Sequence, residues 1–252
     1  KSEVAKDLPP KVENVYYCAL QDEQLDLYAA LAKKLKDQVL KTVDEKGLAK
    51  SQMSILDALL KLRQICCHPR LLKLDMPGVS TNLPSGKFDA FKDLVTDIIE
   101  EGHKVLVFSQ FVQMLHIIRS WMQIQQTPFA YLDGSSKDRF DQVDRFNNDE
   151  NIKVFLISLK AGGTGLNLTS ADYVIHYDPW WNPAVENQAT DRTHRIGQQR
   201  QVFSYKMICQ NTVEEKILKL QEQKKDVAEA IIPGQDAFKS LTRTDLESLF
   251  EI

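Results

Sequence analysis

The sequence lacks the features that mark several large classes of protein. Its 252 residues include only four cysteines, which are too few and too scattered for a disulfide scaffold and indicate a reducing compartment. No apolar run approaches the roughly 20 residues that a membrane-spanning helix needs, and no secretory signal is visible. The formal net charge is −3, whereas a generic nucleic-acid coat protein would be strongly basic. Any contact with DNA or RNA must therefore come from a local basic patch.

Two motifs that hold nucleotides and magnesium are also missing. The chain contains no G-x-x-x-x-G-K-[ST] phosphate-binding loop, and no acidic magnesium motif follows a predicted strand. The run Cys66-Cys67-His68 lacks both the Cys-x-x-Cys spacing and a second ligand pair, so we expect buried apolar cysteines and no bound metal. The chain starts without methionine inside a charged segment, which indicates a piece of a longer polypeptide.

The pattern of apolar residues predicts an α/β fold. Apolar residues make up 43% of the chain and charged residues 27%, as in a globular protein with a sizeable core. Strands are expected at residues 12–20, 105–108, 129–132, 154–157, 173–177 and 202–207. Helices are expected at 21–43, 55–66, 88–98, 112–123, 138–146, 184–194, 213–231 and 244–250, with a loop at 75–85. The alternation of strands and helices predicts a parallel, doubly wound sheet with helices at both ends of the chain.

Unusual polar and glycine residues follow four of the predicted strands. Because ligands gather at the carboxyl ends of strands in an open parallel sheet, these segments are the candidate site. The glycines at 162, 163 and 165 allow the backbone to approach an anion such as phosphate closely, although for a lone glycine cluster tight turns with positive φ are the favoured explanation. The segments are Ser109-Gln110, Asp133 to Ser136, Lys160 to Asn167, and Asp178 to Pro183.

A second candidate feature is the arginine pair Arg192 and Arg195. On a helix, residues three apart project from one face, and two guanidinium forks side by side fit phosphate oxygens. A solvated basic helix face is the alternative. The chain thus has arginines suited to a nucleotide but lacks the usual parts that hold one, which predicts half of a composite site completed by another domain.

Several ordered motifs resemble those of the Swi/Snf-family ATPases, and the likeness covers nearly the whole chain. Tryptophan before Asn-Pro at 181–183 and the segment Leu62 to Pro69 fit the same family. The helicase motifs are matched in order: Val105 to Phe111 resembles motif IV, Leu132 to Ser135 motif IVa, Leu156 to Asn167 motif V, and Gln188 to Gln198 motif VI.

The resemblance implies the C-terminal RecA-like lobe of a two-lobed, DNA-stimulated ATPase that moves along duplex DNA. ATP would bind between the lobes, and the first lobe of the same polypeptide would supply the phosphate-binding loop and hold magnesium. The expected parts are a linker at 1–20, a helical insertion at 21–83, the RecA-like lobe at 84–211 and a helical brace at 212–252. The short joining loop between Arg70 and Lys87 resembles compact bacterial and archaeal members. We expect a monomer without membrane contact, in the cytoplasm or nucleoid, or in the nucleus if eukaryotic.

By the same resemblance, Arg192 and Arg195 are arginine fingers that stabilise charge on the transferred phosphoryl group, and Gln188 couples nucleotide to DNA. Gly163, Gly165 and Asp191 are expected with the two arginines at the ATP. Trp181 is expected to face DNA, with core packing as its alternative role. The residues expected to contact the DNA backbone are Ser109, Gln110, Lys160, Gly163, Thr164, Asn167 and Trp181.

Two other functions remain open at this point. A RecA-like module that binds DNA or a partner without any ATPase activity would also lack a phosphate-binding loop. The matching lobe of an RNA helicase is the other, but Arg195 to Gln198 together with Trp181 to Pro183 argue against it.

Overall fold

The structure is a computed structural model and describes residues 9–72, 83–162, 165–179, 183–195, 197–228 and 242–251. The strands are β1 (Lys11–Cys18), β2 (Val105–Ser109), β3 (Phe129–Leu132), β4 (Val154–Ser158), β5 (Tyr173–His176) and β6 (Val202–Cys209). The helices are α1 (Asp22–Lys46), α2 (Gln52–Cys67), α3 (Gly86–Glu100), α4 (Val112–Ile124), α5 (Arg139–Asn148), α6 (Leu159–Gly162), α7 (Pro183–Thr190), α8 (Val213–Ala228) and α9 (Arg243–Leu249).

The six strands form one sheet in the order β1-β6-β5-β2-β4-β3. Strand β2 pairs in parallel with both β4 and β5, β3 pairs in parallel with β4, and β5 pairs in parallel with β6. The predicted parallel α/β sheet is therefore confirmed. Because the strands run in the same direction, the loops after β2, β3, β4 and β5 all leave from one edge of the sheet.

The central strands read as unbroken apolar runs because both of their faces are covered. Every residue of β2 and of β4 is buried. One face packs against α5 through Val143 and Phe146, and the ring of Phe146 lies 5.2 Å from that of Phe155 on β4. Burial on both faces explains why these strands lack the alternation of half-exposed strands.

The described residues divide into two compact units. The first combines residues up to 16 with 90–207 and carries most of the sheet; the second combines 17–89 with 208–251. In the second unit, α1 and α2 pack against each other, and Tyr28, Leu59 and Leu62 on these helices are essentially inaccessible to solvent. The hydroxyl of Tyr28 accepts a hydrogen bond from the backbone N–H of Val213 at 2.7 Å, which joins α8 to the pair. The four-part division given above stays a prediction.

One predicted element needs correction. The helix expected at 184–194 ends at Thr190, and residues 191–195 form turns and bends. The Thr193 hydroxyl donates to the carbonyl of Thr190 at 2.8 Å, so a side chain occupies an acceptor at the helix end. None of the helices in the described ranges combines the length and apolar character needed to cross a bilayer.

Candidate functional site

The loops after β2 and β5 are joined at the carboxyl edge of the sheet. The backbone N–H of Gln110 donates to Asp178 Oδ2 at 3.0 Å, and the N–H of Tyr177 donates to the carbonyl of Phe108 at 3.0 Å. Asp178 is buried, so this carboxylate fixes the direction in which the chain leaves β2. The side-chain nitrogen of Gln110 is buried and has no hydrogen-bond partner within the described part of the chain. It is therefore a donor suited to a bound oxygen.

Ser109 has a structural task at this edge. Its side chain is buried, and its hydroxyl accepts a hydrogen bond from the N–H of Phe111 at 3.0 Å. The hydroxyl thus closes the first turn after β2 and positions Gln110. Direct contact between Ser109 and a ligand would require this turn to open.

The loop after β4 begins with the one-turn helix α6. Lys160 is exposed on it, and the N–H of Ala161 donates to Ser158 Oγ at 3.3 Å. Gly162 packs so closely that a Cβ at this position would lie 2.9 Å from the ring of Phe108, which requires glycine. Arg139 of α5 donates to the carbonyl of Ala161 at 2.5 Å. The turn that presents Lys160 is therefore held from three sides.

Two residues of this loop, Gly163 and Thr164, lie outside the described residues, as does Trp181 in the loop after β5. Gly165 is exposed and has φ +41°, the conformation that the tight-turn interpretation required. Asn167 is also exposed, and its carbonyl accepts a hydrogen bond from Asn147 at 3.0 Å.

The arginine pair lies on a loop and not on a helix face. Arg192 is half-buried in the turns that follow α7, and Arg195 is exposed three residues later. The N–H of Arg195 donates to the carbonyl of Thr193 at 3.0 Å, and the N–H of Gln198 to the carbonyl of Arg195 at 2.9 Å. The prediction that the two arginines share a helix face is therefore wrong, although both lie on one short loop.

Buried polar contacts hold this arginine loop, residues 191–195 with 197 and 198, in place. The side-chain nitrogen of Gln198 donates to the carbonyls of Thr169 at 3.2 Å and Ala171 at 2.8 Å. His194 Nε2 lies 2.8 Å from the carbonyl of Pro9. The sequence identified Gln198 only as the last residue of a motif. In the structure its side chain anchors the loop to the segment before β5. A rigid loop of this kind can hold an exposed guanidinium in one position.

The arginine loop also contacts the glycine-rich loop. The N–H of Leu168 donates to the carbonyl of Arg192 at 3.2 Å. Asn167, the residue before Leu168, is therefore close to the backbone of the arginine loop. Helix α6, which carries Lys160, packs against α7, on which Gln188 is exposed. Asp191 is half-buried at the first turn after α7. Among the described residues, α6 with Lys160 therefore contacts α7, while the arginine loop is joined to the end of the glycine-rich loop and to segments that precede β1 and β5.

His176 supports the end of α7 from within the sheet, a role that the sequence did not indicate. Its Nε2 lies 3.0 Å from the hydroxyl of Thr190, and its ring stacks on Phe108 with centroids 5.7 Å apart. Burial, with a smaller contribution from the nearby Lys206 cation, lowers the pKa of His176 to about 3. The imidazole is therefore neutral at physiological pH, and its hydrogen bond with Thr190 supports the end of α7, from which the arginine loop begins.

Asp133 organises the loop after β3. Its carboxylate accepts hydrogen bonds from the N–H and hydroxyl of Ser135 at 2.8 and 2.6 Å and from the Tyr131 hydroxyl at 2.8 Å. The Ser135 hydroxyl above all, against the opposing effect of burial, lowers the pKa of Asp133 to about 2. The N–H of Asp133 also donates to the Ser136 hydroxyl at 2.9 Å, so the polar groups of this loop bond to one another and the segment is a structural turn at the edge.

Comparison with known proteins supports the resemblance seen in the motifs. Residues 86–197 match the family described as helicase conserved C-terminal domain, and residues 1–71 match the SNF2-related domain. A putative ATP-dependent helicase/translocase of Bacillus subtilis is 39% identical over 256 residues, which is 99% of this chain and 27% of that protein. The chain spans about a quarter of the length of the curated relatives it matches.

Two solved structures from Sulfolobus solfataricus, each 37% identical in sequence, share the fold. The SWI2/SNF2 ATPase C-terminal domain has a TM-score of 0.72, and the match covers 95% of this chain and 97% of that one. The SWI2/SNF2 ATPase core in complex with dsDNA has a TM-score of 0.80, and the match covers 100% of this chain and 52% of that one.

Proposed function

Because the chain belongs to the Swi/Snf family of ATP-dependent helicase-like proteins, we propose that it is the second motor lobe of an ATPase that translocates along double-stranded DNA. The observation that carries the proposal is the arginine loop, which presents Arg195 to solvent from a backbone held by buried hydrogen bonds. ATP would bind between this lobe and the N-terminal RecA-like lobe of the same polypeptide. The likeness to compact bacterial and archaeal members, the monomeric state and the cellular location stay predictions.

Arg192 and Arg195 are proposed as the arginine fingers. A guanidinium is charged at any working pH, and its planar fork can bridge oxygens of the transferred phosphoryl group as negative charge develops there. Gly163, Gly165 and Asp191 would line the nucleotide beside them. Gln188, exposed on α7, would couple nucleotide binding to the loops that contact DNA.

Magnesium would be held by the first lobe. Within the described residues, the single trio of metal-ligating side chains is Cys66, Cys209 and Glu214, which belongs to the other compact unit. Cations at the carboxyl edge would then meet phosphate oxygens directly.

DNA would be held through its backbone. Phosphate oxygens would meet the charge of exposed Lys160 and hydrogen-bond donors from exposed Asn167, the buried side-chain nitrogen of Gln110, Thr164 and Gly163. The Ser109 hydroxyl would act indirectly, by closing the turn that positions Gln110. Trp181 would face the same strand. Such contacts carry no sequence code, which suits a motor that must step along any sequence.

The proposal is tested by measuring ATP hydrolysis with and without duplex DNA. We expect the full-length protein to be stimulated by DNA and this chain alone to hydrolyse no ATP, because it has no phosphate-binding loop. Mixing the chain with the separate N-terminal lobe should restore part of the activity. Hydrolysis by the isolated chain would reveal a nucleotide site elsewhere. If the full-length protein, with both lobes covalently joined, hydrolysed no ATP under any condition, a non-enzymatic binding module would be favoured.

Two lysines that bracket β4 provide a matched test of the DNA contact. Lys160 follows the carboxyl end of the strand, and Lys153 precedes its amino end, where it donates to the carbonyl of Gly102 at 3.2 Å. In the full-length protein, Lys160→Ala is expected to weaken duplex binding about tenfold, the value of one charge-assisted hydrogen bond. It should also reduce the slope of log affinity against log salt by about 1.

Lys153→Ala is the control, and it should change neither the affinity nor the slope. Binding would be measured by fluorescence anisotropy over a range of salt concentrations. An equal effect of both substitutions would mean that general charge, not the loop after β4, holds the DNA.

A further inference from the structure

A cluster of buried reactive side chains lies in the second compact unit, whereas the proposed ATP and DNA residues belong to the first. Cys66 lies at the end of α2, Cys209 at the end of β6, and Glu214 at the start of α8. Their two sulfur atoms and a carboxylate oxygen all lie within 4.8 Å of one another. Both cysteines are 0% exposed and Glu214 is 4% exposed. Three elements distant in sequence therefore bring potential metal ligands together in the core.

Glu214 has one carboxylate oxygen to spare. Its Oε2 accepts hydrogen bonds from Lys87 Nζ at 2.5 Å and from the N–H of Cys209 at 2.9 Å. Its Oε1 is also buried, yet it has no hydrogen-bond partner among the residues that the structure describes. A buried carboxylate oxygen without a donor is unfavourable, and nothing in the ion pair with Lys87 accounts for it.

A fourth donor comes from the end of α2. The carbonyl of Cys66 is among the last carbonyls of the helix, which have no partner within the helix itself. It accepts a weak hydrogen bond from Cys209 Sγ at 3.5 Å. If that thiol lost its proton, the carbonyl would lose this donor while its oxygen still lay beside Cys209 Sγ.

We propose that Cys66, Cys209 and the Oε1 of Glu214 bind one thiophilic divalent cation such as Zn²⁺, with the Cys66 carbonyl as the fourth ligand. Two thiols would release their protons to solvent as the metal binds. Two thiolates, one carboxylate and the Lys87 ammonium carry a net charge of −2, which a divalent cation neutralises. Tetrahedral zinc needs its sulfur atoms about 3.8 Å apart, so the two sulfurs must approach each other by about 1 Å at most.

This ligand set differs from the Cys66-Cys67-His68 run, whose spacing argued against a metal. His68 accepts a hydrogen bond from the N–H of Arg70 at 3.2 Å and packs its ring on Phe88, and it is not part of the cluster. Local spacing therefore gave no signal, because two of the three ligating side chains lie about 140 residues further along the chain. The site would clamp α2, β6 and α8 together and does not depend on the proposed motor function.

Cobalt is the probe for the test, because Co²⁺ bound to thiolates has a charge-transfer absorption whose intensity counts the thiolates. The full chain would be unfolded, refolded with excess Co²⁺ or Zn²⁺, and freed of loose metal by gel filtration. We expect one equivalent of metal by native mass spectrometry, an absorption corresponding to two thiolates, and a raised melting temperature. Refolded protein that retains no metal, or retains cobalt without this absorption, would overturn the proposal.

Variants assign the ligands. Cys66→Ser and Cys209→Ser should each reduce the bound metal from one equivalent to nearly none, while Cys67→Ala, the adjacent buried cysteine on α2, should keep the full equivalent. Circular dichroism would check that each variant folds. If a serine variant does not fold, the thiolate count of the wild-type cobalt spectrum decides the question. Loss of metal in folded Cys67→Ala would contradict this ligand assignment.

Discussion

In the full-length protein, Arg195→Ala is expected to lower DNA-stimulated ATP hydrolysis about 1,000-fold, the lower end of the effect of an arginine finger. ATP binding should stay largely intact, because a finger acts mainly on charge that develops in the transition state. Arg195 is exposed on a loop whose backbone is anchored through Gln198, so its removal should leave the loop in place. Steady-state hydrolysis with saturating DNA and a separate nucleotide-binding assay would measure the two effects.

Arg200 is the matched control for Arg195. It is also an exposed arginine, but it lies five residues further along the chain, just before β6, and donates to Asp172 at 3.4 Å. Arg200→Ala should leave hydrolysis within about twofold of wild type, as expected for a surface ion pair. Arg195→Lys keeps the charge and loses the fork, so an intermediate loss would separate the two contributions. Hydrolysis by Arg195→Ala close to the wild-type rate would contradict the finger assignment.

The sequence predicted most of the fold because its signals are local. Unbroken apolar runs such as Val105 to Phe108 require a strand covered on both faces, and the alternation with helices leaves few arrangements other than a parallel sheet. The same rule predicted that loops after several strands would share one edge. The contact of α6, which follows β4, with α7, which follows β5, agrees with this expectation. The hydrogen bonds of the arginine loop instead lead to segments that precede β1 and β5.

The errors and omissions concern features set by contacts between distant residues. The helix carrying the arginines was expected to continue to His194, but it ends at Thr190, where the Thr193 hydroxyl and the Pro9 carbonyl provide alternative hydrogen bonds. The neutral His176 beneath that helix end was not predicted, because its low pKa depends on burial by the whole sheet.

The buried Lys87–Glu214 pair is another feature that no sequence pattern revealed, and it gives the largest expected effect on stability. The two side chains are 127 residues apart in the chain, and their charged atoms lie 2.5 Å apart with almost no solvent exposure. Burial by itself lowers the pKa of Lys87, but the Glu214 carboxylate outweighs it and raises the pKa above its ordinary value of 10.5. The lysine is therefore fully charged in the folded protein at neutral pH.

Breaking this pair from one side should cost about 3–5 kcal/mol of unfolding free energy, because the remaining charge stays buried without its partner. Lys87→Met and Glu214→Gln would each be measured by urea unfolding in the presence of a chelator. The glutamine keeps an acceptor for the N–H of Cys209, so its effect reports the lost charge and not an orphaned amide. In the double variant no buried charge is left, and stability should return to within about 1 kcal/mol of wild type. Additive losses in the double variant would mean that the two side chains act through packing.

The pH dependence provides a second check on the same pair. Since the folded pKa of Lys87 lies above its unfolded value, the contribution is complete below pH 10.5 and is lost only as pH rises through the folded pKa. The stability difference between wild type and Lys87→Met should therefore be constant from about pH 7 to pH 10 and should shrink at higher pH. A difference that disappeared between pH 7 and pH 9 would show that Lys87 loses its proton in the folded core. In that case burial, not the Glu214 carboxylate, would control the charge of this lysine.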